Sequence, residues 1–289
     1  MDIIIELIKT ILLGIVEGIT EWLPISSTGH MILFNDILHL SVSEEFWEMF
    51  EVVIQLGAIL AVVVLYFKKL FPIDEKDDVS KSNTLYTLSG YSLKKDTILL
   101  WAKVIVAMLP AAIIGIPFDD FFDEHFHTSP VVAVALIVYG VLFIVVEYLN
   151  KNRKFDVESV DDISFKRALG IGLFQTLSLV PGTSRSGSTI LGASMLSVSR
   201  GAAAEFSFFL AVPVMLGASA LKVLKFFLDG GTFGGLELLY LLVGCVVAFF
   251  VSMAAIKFLT DFVKKYSFGA FGVYRIILGF IVLLVYFIK

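Results

Sequence analysis

Six stretches of the chain are long, apolar and sparing of charge: 46–67, 97–116, 130–149, 201–227, 236–260 and 267–288. A helix needs about 20 apolar residues to cross the hydrocarbon of a bilayer, so each stretch is expected to be a transmembrane helix. Lipid-spanning strands would instead show roughly 10-residue segments of alternating polarity, and no such pattern is present. Residues 1–45 and 164–200 behave differently. Each carries a polar stretch between apolar flanks, at EGITEWLPISSTGH (17–30) and PGTSRSGST (181–189).

Composition agrees with the pattern. The 289 residues are 58% hydrophobic and 17% charged, outside the range of soluble globular domains. The opening MDIIIELIKTILLG carries an early acid and no small-residue cleavage site, so it reads as mature sequence and not as a signal peptide. Cys245 is the single cysteine. It excludes an internal disulfide and is expected to pack in its apolar run. A net charge of −5 constrains little in a chain that faces lipid, and without a basic stripe no nucleic-acid partner is expected.

Lysine and arginine in short loops favour the cytoplasmic side. Lys68, Lys69, Lys76, Lys81, Lys94 and Lys95 place 68–96 inside, Lys151, Arg153, Lys154, Lys166 and Arg167 place 150–167 inside, and Lys264 and Lys265 place a third loop there. FDDFFDEHFHTSP (118–130) and DGGTFGG (229–235) hold neither residue and read as outside loops. The alternation leaves 164–200 between two inside ends, so this stretch must enter and return on one side. If 1–45 does likewise from the outside, both are re-entrant helical hairpins whose polar turns lie at depth, which requires burial in protein or a wet cavity.

A weak internal repeat supports that arrangement. GIVEGITEWLPISSTG (14–29) matches GLFQTLSLVPGTSRSG (172–187) with one residue of slippage, pairing Glu17 with Gln175, Pro24 with Pro181 and Ser27 with Ser184; further on, Glu51 meets Glu205. The expected fold is therefore all-α and polytopic: an inverted repeat in a single membrane domain. The first half, 1–149, holds hairpin 1–45 and spans 46–67, 97–116 and 130–149. The second, 150–289, holds hairpin 164–200 and spans 201–227, 236–260 and 267–288. Inverted repeats place sites where broken helices of both halves meet near the midplane.

The chemistry of the two turns is complementary. Glu17 and Glu21 are four residues apart, so on a helix their carboxylates share a face. Pro24 ends that helix, and Ser26, Ser27, Thr28 and His30 follow. Two close carboxylates at low dielectric need a cation, a shared proton or a positive partner. Mg²⁺ or Ca²⁺ is the natural candidate, since either accepts carboxylates together with phosphate oxygens. The second turn sets Arg185 among Thr183, Ser184, Ser186, Ser188, Thr189 and two glycines, a composition suited to an oxyanion. The alternative is structural: Arg185 as the ion-pair partner of Glu17 or Glu21, with hydroxyls bridging helices. His125 and His127 are expected to be solvated, with Asp119, Asp120 and Asp123 as adventitious metal ligands at most. His39 is expected near a hairpin end. Glu51 and Glu205 are either helix-packing groups or support for the site, and Gln55 and Gly57 are expected at close helix contacts.

EGITEWLPISSTGH, followed by QLGAILAV (55–62) and PGTSRSGSTI (181–190), resembles the bacitracin-resistance type of undecaprenyl-diphosphate phosphatase from end to end. The acidic E-x-x-x-E motif falls on Glu17 and Glu21, and P-G-x-S-R-S-x-x-T runs from Pro181 to Thr189. The resemblance implies hydrolysis of the C55 polyprenyl diphosphate to its monophosphate with a divalent cation, in the bacterial inner membrane and with the site open to the outer face. The product then serves again as lipid carrier in cell-wall synthesis. The resemblance carries over Glu17, Glu21, His30, Ser184, Arg185, Ser186 and Thr189 as functional, and Ser27 with them. Three schemes stay open. In the first, Ser27 attacks phosphorus with Glu21 or His30 as base, Glu17 and Glu21 hold the metal, and Arg185 with Ser26, Thr28, Ser184, Ser186 and Thr189 holds phosphate. In the second, metal-activated water attacks; in the third, His30 is the nucleophile. A secondary transporter or flippase for an anionic lipid is the alternative of another class, because inverted repeats with broken helices are its usual architecture. A homodimer is left open, and the charged insert 74–95 matches no motif.

Overall fold

The computed structural model describes residues 3–75, 80, 83–88 and 90–288. Helix α1 (Ile3–Thr20) runs into the first polar turn and α2 (Ser27–Leu38) leaves it. Pro24 interrupts the helical ladder between them, and Ser26 restarts it as an N-cap whose Oγ accepts from the Gly29 N–H at 3.3 Å. The second polar stretch repeats this construction. Helix α8 (Phe165–Gln175) and a 3₁₀ turn (Thr176–Leu179) lead in, and α9 (Arg185–Met195) leads out, capped by Ser184 accepting from the Gly187 N–H at 3.1 Å. Both caps have positive φ, 74° at Ser26 and 72° at Ser184, a conformation that side-chain-bearing residues adopt at a cost.

The shared cap corrects the register expected between the turns. Ser26 and Gly29 stand where Ser184 and Gly187 stand, so Ser27 corresponds to Arg185 and not to Ser184. The spacing that pairs Glu17 with Gln175 continues through the caps without slippage. The physical reason is that the cap hydroxyl and the glycine it holds fix the helix start, whereas Pro24 and Pro181 only have to lie before it.

Among the described residues six helical segments are long and apolar enough to cross a membrane: Glu44–Leu65, Lys95–Phe126, Ser129–Leu149, Arg200–Leu228, Glu237–Val263 and Gly269–Ile288. The first comprises α3 (Glu44–Val53) and α4 (Gln55–Leu65), followed by a short α5 (Phe67–Leu70). The others are α6 (Lys95–Phe126), α7 (Ser129–Leu149), α10 (Arg200–Leu228), α11 (Glu237–Val263) and α12 (Gly269–Ile288). Part of the charged insert folds as a small antiparallel sheet, β1 (Ile73–Glu75), β2 (Thr84–Leu88) and β3 (Tyr91–Lys94), in the order β1-β3-β2 with Ile73 opposite Leu93 and Thr87 opposite Ser92. Lys76 and Lys81 of that insert lie outside the described residues.

One expected loop is helical. Helix α6 continues through 118–126, bent where Pro117 precedes Phe118 (φ −114°, ψ 15°). Its acids are neutralised from a distant element: Lys225 of α10 lies 2.6 Å from both Asp119 and Asp120, and Lys222 pairs with Asp123. Those lysines are about a hundred residues away in sequence, so a local charge pattern read as an exposed turn. His125 is exposed, as expected, and stacks on Phe121 at 4.5 Å. His127, expected to be solvated, is half-buried and lies 3.8 Å from Glu51. Glu205 pairs with Lys69 at 3.1 Å. His39 caps the C-terminus of α2, at the hairpin end where it was expected.

Small residues let the helices touch, as membrane helices do in the absence of a water-driven core. Gly140 of α7 and Gly272 of α12 face each other so closely that a Cβ on either would come within 2.7 Å of the other's carbonyl. Gly57 of α4 lies against the backbone of Cys245 in α11, whose thiol donates to Val53 O at 3.6 Å. Gly57→Ala is expected to lower the thermal midpoint of the purified protein by the equivalent of about 1–3 kcal/mol, the usual cost of overpacking. Gly201→Ala, at a position with open space beside it, should leave the midpoint unchanged; equal effects of the two would contradict this packing.

Candidate functional site

The hydrogen-bond ladder of α1 runs one residue past its end, with Glu21 N–H donating to Glu17 O at 3.0 Å. Glu17 and Glu21 therefore sit one turn apart on one face, both buried. Glu21 is where the two turns meet. Its Oε2 accepts from Ser27 Oγ at 2.6 Å and its Oε1 from Arg185 Nη2 at 3.0 Å. Ser27 and Arg185, the first residues of α2 and α9, thus reach the two oxygens of one carboxylate. Arg185 also donates through Nη1 to Ser207 O of α10 at 2.8 Å, and its guanidinium lies 5.9 Å from the centre of the Trp22 ring.

The hydroxyls of the second turn are engaged in building it. Ser186 Oγ donates to Glu21 O at 3.0 Å, which stitches one turn to the other. Ser184 Oγ lies 3.2 Å from Ser186 Oγ, and Thr189 Oγ1 lies 2.7 Å from Ser207 Oγ, beside the carbonyl that holds Arg185. Ser26 is a fully buried cap, so of the hydroxyls expected to contact phosphate in the first turn only Thr28 lines the cavity, next to Ser27.

His30 is held away from Ser27. Its Nδ1 lies 2.6 Å from Ser26 O, and a carbonyl can only accept, so Nδ1 carries the proton. In the neutral ring Nε2 is then an acceptor, and it takes the Tyr274 hydroxyl at 2.7 Å. The group that accepts the Ser27 hydroxyl in this geometry is Glu21.

Among the described residues the buried side-chain atoms without a hydrogen-bond partner include Glu17 Oε1, Glu17 Oε2 and Arg185 Nε, and also Trp22 Nε1 and Arg275 Nε. Gln175, in the place of Glu17 on the second hairpin, is likewise buried with its amide unpartnered. An unmet acceptor pair and an unmet guanidinium donor suit a cation and an anion respectively. Glu17, with Ser27 and Thr28, forms part of the lining of a cavity of about 910 Å³. Toward α3, α6 and α10 the lining becomes charged, with Glu48, Glu51, Asp120, Asp123, Lys222 and Lys225 among its residues.

The donor set fits a hard divalent ion in a restricted way. Among the described residues no three His, Cys, Asp or Glu side chains gather to hold a metal by themselves. Such an ion accepts one or two carboxylates and completes its shell from phosphate oxygens and water. Glu17 offers two free oxygens, whereas both oxygens of Glu21 are already bonded. Asp119, Asp120 and Asp123 are occupied by lysines.

Sequence reasoning missed two residues of α12 and one of the first turn. Arg275 is fully buried and donates to Pro24 O at 3.3 Å, Gly182 O at 2.8 Å and Thr183 O at 2.9 Å. Its signal was present, since it is the one charge in the apolar run 267–288, and an ionisable group inside a span marks a functional position by default. Tyr274 and Trp22 carried no such signal.

A family model described as bacitracin resistance protein BacA matches residues 10–281 of the chain. An undecaprenyl-diphosphatase of Enterococcus faecalis is 58% identical over 281 residues, covering 97% of each chain. One from Acetivibrio thermocellus is 57% identical over 280 residues, again 97% of each. Undecaprenyl-diphosphatase 1 of Clostridioides difficile is 52% identical over 285 residues, 99% of this chain and 98% of its own.

The two glutamates should respond oppositely to neutralisation. Glu21→Gln removes the charge from a buried ion pair and should cost about 3–5 kcal/mol of stability. Glu17→Gln removes a buried carboxylate that no donor satisfies, so it should leave thermal stability unchanged or higher. Thermal unfolding of both variants without divalent cation checks this, and comparable losses for both would contradict the assignment of Glu17 as unpartnered.

Proposed function

The chain belongs to the bacitracin resistance protein BacA family, and on that premise we propose how its two polar turns carry out the reaction. It hydrolyses undecaprenyl diphosphate to undecaprenyl phosphate and inorganic phosphate. The observation that carries the mechanism is the bonding of Ser27 and Arg185 to one Glu21 carboxylate beside a large cavity.

Ser27 Oγ attacks the terminal phosphorus and its proton passes to Glu21 Oε2, already 2.6 Å away. The bond between that phosphorus and the bridging oxygen breaks, its electron pair staying with undecaprenyl phosphate. Water then attacks phosphorus as the bond from phosphorus to Ser27 Oγ breaks; Glu21 returns its proton to Ser27 Oγ, and the water oxygen with both its protons leaves in the inorganic phosphate. Arg185 holds the transferred group through its free Nε–H, its other nitrogens being fixed by Glu21 and Ser207. A divalent cation, Mg²⁺ or Ca²⁺, held by Glu17 with Glu21 beside it, supplies charge neutralisation for the diphosphate when bound. His30 and Tyr274 fix the start of α2, and the cap hydroxyls keep both turns in shape.

The same reading treats 1–149 and 150–289 as halves of an inverted repeat whose hairpins enter from opposite faces. The matching caps and the equivalent positions of Glu17 and Gln175 support it. The cavity is lined from the ends of α6 and α10, beside the 229–235 loop that lacks Lys and Arg, which supports an opening on the outer face.

Phosphate release from undecaprenyl diphosphate by the detergent-purified protein tests the reading, because a carrier without hydrolytic activity releases none. Ser27→Ala should lose about 10³-fold or more in turnover, as removal of a nucleophile does. A residual rate within tenfold of wild type would assign the attack to water. Arg185→Lys keeps the charge without the planar fork and should lose on the order of 100-fold; near-wild-type turnover would remove Arg185 from the phosphate clamp.

A further inference from the structure

Arg275 is a cation at full burial for which no carboxylate partner is found among the described residues. Its charge is met by three backbone carbonyls and by the face of Tyr139, 5.7 Å from the guanidinium carbon. An arrangement of this kind is costly to bury, and the identity of the three carbonyls indicates what it achieves. Pro24 lies two residues before the strained cap Ser26, and Gly182 and Thr183 lie two and one before the strained cap Ser184. Caps with positive φ persist only when their surroundings over-determine them. One guanidinium from α12 grips both turns directly upstream of both caps.

We propose that Arg275 is a positioning residue for the reaction: it locks the two turns together so that Ser27 and Arg185 meet at Glu21, and it sets a second positive charge behind the phosphate loop. Two geometric features carry the second part. A Cβ on Gly187 would lie 3.0 Å from Arg275 Nη1, so the guanidinium rests against the first turn of α9. That turn is the positive end of a helix that starts at Arg185, where anions are favoured. The planar peptide between Thr183 and Ser184, with its carbonyl on Arg275, must also present its N–H on the opposite side. Arg275 thus acts through the loop and without touching substrate. Tyr274, its neighbour, fixes His30 from the same helix.

The inference rests on the phosphatase reading, and the experiment separates the two. Arg275→Met removes charge and donors; Arg275→Lys keeps the charge but cannot span three carbonyls. The catalytic constant and KM for undecaprenyl diphosphate, inhibition by inorganic phosphate and the thermal midpoint are measured on folded protein. Arg275→Met should lose on the order of 100-fold in kcat, with weaker inhibition by phosphate. Arg275→Lys should restore phosphate inhibition to within a few-fold of wild type while kcat stays at least about tenfold low. Lysine also keeps the experiment decisive if the Met variant does not fold. Wild-type kcat and phosphate inhibition in folded Arg275→Lys or Arg275→Met, whatever the change in midpoint, would overturn the proposal. A wild-type protein that releases no phosphate would overturn the phosphatase reading instead.

Discussion

The ion pair between Glu21 and Arg185 is the contact on which the rest of the site depends. Two interrupted helices bury backbone groups and charges away from water, so each must find its partners in protein or a wet cavity. The chain solves this by making one turn the solvent of the other. Arg185 of the second turn neutralises Glu21 of the first, and Ser186 of the second donates to a carbonyl of the first. Arg275 takes carbonyls from both. Neither hairpin can be buried in its observed form without the other.

The pairing leaves groups of the proposed site unsatisfied. Glu17 retains two buried oxygens without a donor and Arg185 a buried N–H without an acceptor, beside a serine already bonded to a carboxylate. Natural proteins break their local rules at functional sites and compensate elsewhere. Here the compensation lies in the tight packing of glycine-bearing helices and in the triple grip of Arg275 on strained turns. Part of the charged lining of the cavity beyond the site is itself paired, Lys222 and Lys225 with the acids of α6 and Glu51 with His127, whereas the buried oxygens of Glu17 have no partner.

Much of this was legible in the sequence, for physical reasons. Spans follow from hydropathy because the bilayer sets their length, and the four-residue spacing of Glu17 and Glu21 places them on one face whatever the helix does later. The meeting of the two turns was readable from their complementary chemistry. Other features depend on non-local contacts. The helical course of 118–126 rests on Lys222 and Lys225, and no local pattern in FDDFFDEHFHTSP contains them. The slip that matched Ser27 to Ser184 arose because prolines were aligned where cap geometry decides. Hydroxyls such as Ser186 and Thr189 were expected on phosphate, but composition does not distinguish a ligand contact from a bond within the loop. Arg275 was readable as a lone charge in an apolar run, but its partners are backbone carbonyls far away in sequence, which no local pattern contains.

The most direct test of the central claim is a double-mutant cycle on stability, using Glu21→Gln, Arg185→Gln and the double variant in reversible unfolding of the purified protein. Paired across the two turns, the residues should couple, the double variant being less destabilised than the sum of the singles by about 2 kcal/mol or more, within the range measured for residues in one buried network. Additivity within about 0.5 kcal/mol would mean that the two side chains do not meet, and the shared site would not stand.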